Sequence, residues 1–152
     1  MKRWIAAILL TSTFGFAQGA KPLKTASLPG SDYTGMYSFI RDGEFVRINI
    51  DGSHLTGYIS RRGDGEKQIF VAHFFDKAEF HDQDFQFGTT KVQGVWFLFK
   101  GTISRGSGKA RNEEDYYRIK GTLTEYSSDA NEKVNSKERE LTLHSLPQDI
   151  CE

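Results

Sequence analysis

The chain predicts an all-β fold, an antiparallel up-and-down meander that closes into a small barrel of about eight strands. Three observations carry this. Short runs rich in β-branched and aromatic residues recur from Tyr33 onward, separated by turns built on Asp, Asn and Gly, the pattern of strands joined by hairpins. Apolar and polar residues alternate within the runs, and no long window keeps a 3.6-residue period, so helix is minor. A sequential series of strands removes its exposed edges most simply by closing on itself.

The elements follow in order. Gln18 to Asp32 holds Pro22 and Pro29 among Ala, Ser, Lys and Gly without apolar periodicity, and reads as a flexible leader. Thr34 to Ile40 is the first strand, and Arg41-Asp42-Gly43-Glu44 is a turn. Phe45 to Ile50 is the second strand, and Asp51-Gly52 is a strong hairpin signal. His54 to Arg61 and Gln68 to Phe75 flank an Arg62-Gly63-Asp64-Gly65 turn. Ala78 to Phe80 and Phe85 to Thr90 flank His81 to Asp84, with a bend expected near Asp76. Val95 to Ser104, Tyr116 to Tyr126 and Glu138 to Ser145 complete the set, leaving Gly106 to Asp115 and Ser127 to Lys137 as the longest loops. One domain, 33–146, is expected, with 147–152 as a tail.

Alternation assigns an inner face of Val46, Ile48, Ile50, Leu55, Ile59, Val71, Phe75, Phe85, Phe87, Val95, Phe97, Phe99, Ile103, Tyr117, Ile119, Leu123, Leu141 and Leu143. These side chains are large, so a packed core is expected, with a small apolar cavity as the alternative. Phe97, Phe99, Tyr117 and Trp96 are then the candidate ligand contacts. Gly57, Gly101 and Gly121 recur inside strands, each followed two places on by an inward apolar residue. Glycines so placed let a barrel strand bend sharply.

The N-terminus predicts export. Met1-Lys2-Arg3 is a positive start, Trp4 to Phe16 is an apolar run of about a dozen residues, and Gly15-Phe16-Ala17 presents small residues before Gln18. The run is too short to span a bilayer, and nothing later offers a membrane span. Cys151 stands next to the C-terminus, so it is expected as a tail residue, with pairing between chains as the alternative. Twenty basic residues balance 20 acidic ones, which excludes the electrostatic footprint of a nucleic-acid partner. Arg61-Arg62 and Arg105 to Arg111 are offset by neighbouring acids and are expected to be solvated turns.

Three segments carry a resemblance: His73-Phe74-Phe75-Asp76-Lys77-Ala78, Val95 to Thr102, and Tyr116 to Thr124. Through them the chain resembles a family of secreted bacterial β-barrel proteins with no assigned activity. In architecture the meander also resembles avidin-like and lipocalin-like barrels, with Asp51 to Tyr58 similar to an avidin hairpin. Past the export signal, Trp96 is the one tryptophan, and Gly35-Met36-Tyr37 stands where lipocalins carry Gly-x-Trp. The resemblance therefore implies an architecture and not a ligand.

His73, Asp76, Glu79 and His81 form the densest group of metal-ligand or acid-base side chains. Two imidazoles and a carboxylate on one strand face can hold zinc with a position left for water. A bend at Asp76 would break that face, leaving solvated turn residues. Glu113, Glu114 and Asp115 are consecutive loop acids, a poor arrangement for separating acid and base roles. Arg62-Gly63-Asp64 spells an adhesion tripeptide, but Gly and Asp serve a turn for backbone reasons. Gly101 to Lys109 lacks the Gly-Lys-Ser/Thr ending of a phosphate loop. Tyr58, Trp96 and Tyr116 fall on the outer face as a candidate recognition patch. The sequence thus points to an exported, noncatalytic barrel, without a cofactor, that binds a small apolar ligand or a partner surface. A small extracytoplasmic enzyme or metal protein built on His73, Asp76, Glu79 and His81 is the alternative.

Overall fold

The computed structural model describes residues 30–63 and 69–147; the predicted export signal, most of the leader, Asp64 and Cys151 lie outside the described residues. Eight antiparallel strands succeed one another in sequence and in space: β1 (Gly35–Ser38), β2 (Phe45–Asp51), β3 (His54–Arg62), β4 (Phe70–His81), β5 (Asp84–Thr89), β6 (Val95–Arg105), β7 (Tyr117–Ser128) and β8 (Val134–His144). A 3-10 turn, Ser31–Tyr33, precedes them. The all-β, up-and-down architecture is therefore as predicted.

The sheet curls into a half-barrel whose two edges meet at one corner. Tyr37 of β1 bridges Ser145, the Leu146 N–H donates to the Met36 carbonyl at 2.8 Å, and the His144 N–H donates to Ser38 Oγ at 3.0 Å. β1 has four residues against eleven in β8. The seam is consequently stitched at the His144 end of β8, and a continuous closing ladder does not form.

Two strand boundaries differ from expectation. The segments Gln68 to Phe75 and Ala78 to Phe80 form one strand, β4, whose register against β5 shifts between Phe75 and Lys77. A bulge there bends the strand without ending its ladder. β8 begins at Val134 and not at Glu138, because the 129–133 turn reverses the chain early: Asp129 Oδ1 accepts from the Asn131 and Lys133 N–H groups, both at 2.9 Å.

The predicted inner stripe makes the core. Val46, Ile48, Ile59, Phe97, Phe99, Ile119 and Leu123 have no exposed surface. Alternation in β1 adds Tyr37 and, just beyond it, Phe39, both buried. Phe75, Val95, Tyr117 and Leu141 pack against the cluster as partly buried neighbours. Inside, Phe75 stacks on Phe87 at 4.2 Å and Phe87 on Phe99 at 5.3 Å. Gly101 lies opposite Gly121 across the β6–β7 ladder. A Cβ on Gly121 would stand 2.2 Å from the Lys100 carbonyl, and one on Gly101 2.8 Å from the Phe99 ring. The strands approach too closely there for any side chain, which is what lets the sheet bend around its aromatic filling.

Antiparallel order sends the connections alternately to two ends. Turns 39–44, 90–94 and 129–133 gather at one end, with Gly63 and Ile69 beside β3 and β4. Turns 52–53 and 82–83, loop 106–116 and the Ser31–Tyr33 turn gather at the other.

Candidate functional site

The Ser31–Tyr33 end is shut by chain and charge. Gly30, at φ 90°, lies so close to Phe80 that a Cβ would stand 2.5 Å from its ring. Tyr33 packs edge-on against Phe80 at 5.8 Å and Tyr117 at 4.9 Å, and accepts the Tyr37 hydroxyl on its carbonyl at 2.7 Å. Asp115, buried in the left-handed region at φ 58°, gathers the loop. Its carboxylate accepts from the Ser107 N–H at 2.9 Å, Ser107 Oγ at 2.6 Å, His144 Nδ1 at 2.8 Å and the Arg118 guanidinium. The Arg118 hydrogen bond holds the Asp115 carboxyl far below the usual carboxylate range; burial opposes this, and Ser107 and His144 reinforce it.

The opposite end is open and charged. There the inward stripe continues past its last apolar residue into ionic ones. Arg61 stands two places after Ile59 in β3, Glu125 two after Leu123 in β7, and Arg139 two before Leu141 in β8, so period-2 geometry turns all three inward. Arg61 is 9% exposed. Its Nη1 lies 3.5 Å from Glu125 Oε1, while Arg139 Nη2 donates to Glu125 Oε2 at 3.0 Å. Phe97 forms the floor, with the Arg61 guanidinium 5.6 Å from its ring centre, His73 edge-on at 5.1 Å and Phe39 edge-on at 5.8 Å.

His73 is 2% exposed. Burial first, and then the Arg61 charge, push its imidazole below the ordinary 6.5, with the Thr90 backbone and Glu125 working in the other direction. The ring is therefore neutral at pH 7. His73 Nδ1 is buried and has no hydrogen-bond partner; Arg139 Nε is a buried donor in the same condition. A cavity of about 340 Å³ lies between the 39–44 turn and β7–β8, lined by Arg41, Glu44, Arg61, Glu125, Lys137 and Arg139 among others. A second, of about 200 Å³, lies between β3, β4 and the 90–94 turn and is lined by Arg61, His73, Val92 and Gln93. Arg61 borders both. Glu44 is occupied in holding this rim together, its two oxygens accepting from the Arg41 N–H at 3.2 Å and the Arg62 N–H at 3.0 Å.

The four predicted ligand contacts are dispersed. Phe97 and Phe99 are core, and Tyr117 is half-buried at the closed end. Trp96 lies on the outer face, stacked on Tyr126 at 5.3 Å with the Lys91 ammonium 5.1 Å from its ring. The four predicted metal ligands are divided as well. His73 points inward, whereas Asp76, Glu79 and His81 are exposed, the bulge having reversed the strand's parity. Among the described residues, no three His, Cys, Asp or Glu side chains converge on a metal position. Glu113 closes a turn by accepting from the Lys109 N–H at 2.7 Å. Tyr58 sits between Phe45 at 6.0 Å and Phe74 at 5.5 Å, and Tyr116 beneath Arg105 at 3.4 Å. Arg61, expected in a solvated turn, is buried instead, because β3 carries its alternation one inward place further.

Glu125 and Arg139 are absent from the sequence-based candidates. The signal was a charge at an inward position next to the end of an apolar stripe, visible in Leu123-Thr124-Glu125 and Arg139-Glu140-Leu141. Comparison with known protein families, with curated proteins and with solved structures returns no match.

Proposed function

We propose that the protein is an exported, noncatalytic binding barrel that takes a small polar ligand at its open end, around Arg61. The carrying observation is that the interior is filled by Phe87, Phe97 and Phe99 while the open end keeps cavities bordered by buried charge and by two unpartnered polar atoms. Buried ionic groups add little to stability compared with apolar residues of similar size. Groups of this kind, placed at a cavity, serve recognition. An apolar ligand within the barrel would compete for volume that the phenylalanines hold, so the reading favours the mouth. The Met1 to Ala17 pattern supports export, with Gln18 or a residue within about two of it as the mature N-terminus.

Native mass spectrometry of the protein isolated from its source tests the reading. A small molecule bound one to one, and lost in Arg61→Met, is expected. An Arg61→Met protein that carries the same molecule equally well would refute the assigned site. For export, sequencing an intact Met1 from exported protein is the adverse result.

A further inference from the structure

The outer edge of β8 is long, and the seam shows which of its backbone groups face outward. The His144 N–H reaches Ser38 Oγ and the Leu146 N–H reaches the Met36 carbonyl, whereas the Ser145 N–H donates to Tyr117 on the β7 side. Backbone groups along an antiparallel strand alternate between its two edges, and the β7–β8 register runs without a shift. Ser136, Glu138, Glu140 and Thr142 therefore present their N–H and C=O groups on the β1 side, while the odd-numbered residues between them point to β7. β1 does not meet them. It runs antiparallel to β8 through the Tyr37–Ser145 bridge and then turns away at Phe39, whose N–H bonds to the Glu44 carbonyl. Among the described residues, no backbone bond reaches the four even-numbered positions from that side.

An unpaired strand edge is a template for a further strand, and the side chains of this one select what is added. An extended segment continuing the line of β1 would run beside Thr142 to Ser136, about 4.8 Å from β8, where the cavity bordered by Ile40, Arg41, Ser136 and Lys137 separates the 39–44 turn from β8. Opposite residues share a face. On the outer face the segment meets Glu138 and Glu140, and on the inner face it meets Lys137, all three exposed. Arg139 is already held by Glu125, so it adds no selection. Opposite charges across a ladder stabilise and like charges oppose, which favours basic residues facing Glu138 and Glu140 and an acidic one facing Lys137. The same charges reject a second copy of the chain. Antiparallel pairing of β8 with itself about residue 138, 139 or 140 sets glutamate against glutamate.

We infer that β8 takes an extended peptide segment of a partner protein by strand addition, antiparallel to β8 and in the line of β1, with basic side chains facing Glu138 and Glu140 and an acidic one facing Lys137. Main-chain hydrogen bonds to the even-numbered residues supply the affinity, and the charges supply the choice of partner. This interaction goes beyond the small-ligand reading and does not depend on it, since it uses neither Arg61 nor His73.

The experiment titrates the purified, ¹⁵N-labelled protein with the end-capped peptide Thr-Val-Lys-Val-Lys-Glu-Thr-Val and follows amide hydrogen exchange. In the free protein the Ser136, Glu138, Glu140 and Thr142 amides should exchange fast beside protected odd-numbered neighbours, and saturating peptide should slow all four by about tenfold or more. A peptide with the charges exchanged, glutamate for each lysine and lysine for the glutamate, should bind about tenfold more weakly, because three cross-strand pairs turn from attraction to repulsion. Methylating the backbone nitrogens of the two lysines, which face β8, should abolish binding, while methylating those of the valines before them should not. A Glu138→Lys, Glu140→Lys protein should prefer the charge-exchanged peptide, and Arg61→Met should bind the original peptide as wild type does. Slow exchange at the four amides without peptide would show the edge already covered and overturn the proposal. So would indifference to which nitrogens are methylated, and equal binding of the two peptides would overturn the partner's charge pattern. Loss of the peptide in Arg61→Met would move it into the small-ligand site, and no protection by either peptide at millimolar concentration would overturn strand addition while leaving the small-ligand reading intact.

Discussion

The two ends of the barrel are built from the same alternating strands and finish them in opposite ways. At the Tyr33 end the last inward positions meet aromatic rings, and the one buried carboxylate, Asp115, has each oxygen engaged. At the Arg61 end the last inward positions are ionic, and polar atoms of His73 and Arg139 are left without partners beside cavities. A satisfied polar network rigidifies, while an unpartnered buried polar group is costly. The closed end is held by a satisfied network, and the recognition proposed above is assigned to the open one.

The most damaging way to break this contrast is to remove the floor of the open end. Phe97→Ala deletes a ring with no exposed surface, on which Phe39, His73 and Arg61 all rest. A cost of about 3 to 5 kcal/mol is expected from chemical denaturation. Trp96→Ala, one residue away on the outer face, should cost about 1 kcal/mol or less. Equal losses at the two positions would mean that the inward parity of β6 is misassigned.

The Val46-Ile48-Ile50 stripe was legible because Arg47 and Asn49 alternate with it, whereas Val95 to Phe99 is apolar throughout and its parity was legible from the polar Lys100 and Thr102 that follow, ahead of the inward Ile103. Strand order was legible too, since short turns leave neighbours in sequence as neighbours in space. The candidate site was less so. Nothing local marks Arg61, Glu125 and Arg139 as a group, because β3, β7 and β8 bring them together only once the sheet curls. His73 was visible, and the bend expected near Asp76 is present as a bulge that shifts parity by one residue and leaves Asp76, Glu79 and His81 exposed; the nearness of His73 to Arg61 was not legible, because β3 and β4 meet only across the ladder.

A smaller effect is expected at the closed end. Asp115→Asn keeps the size of the side chain and suits the left-handed backbone, yet withdraws the charge from Arg118, His144 and Ser107. A loss of about 2 to 3 kcal/mol is expected. If the variant unfolds at the wild-type denaturant concentration, the loop is held by packing and the contrast between the ends weakens.

Acid should separate the ends further. Asp115 titrates below the ordinary 3.8 in the folded chain, so its stabilisation is present above that value and is lost as pH falls below it. His73 titrates below the ordinary 6.5, so the unfolded chain takes up its proton first and stability declines as pH falls from 6.5. Arg61 and Glu125 are the charged groups facing it. Denaturation midpoints should therefore drop in two windows, one below about pH 6.5 and one below about pH 4. His73→Phe should shrink the first and leave the second; the reverse pattern would exchange the roles given to the two ends.

The smallest expected change in stability is the most informative about function. Arg61→Met replaces a nearly buried guanidinium with a chain of similar reach that can lie over Phe97. Removing Arg61 forfeits its contact with Glu125, but Arg139 remains to hold that carboxylate at 3.0 Å, so no buried charge is stranded. Exchanging a buried ionic group for a well-packed apolar one is often neutral or favourable. A shift within about 1 kcal/mol of wild type is expected, together with loss of the bound ligand. A large destabilisation would show instead that the open end is a structural ion network, held for the fold and not for recognition, and the difference between the two ends would then lie in their chemistry alone.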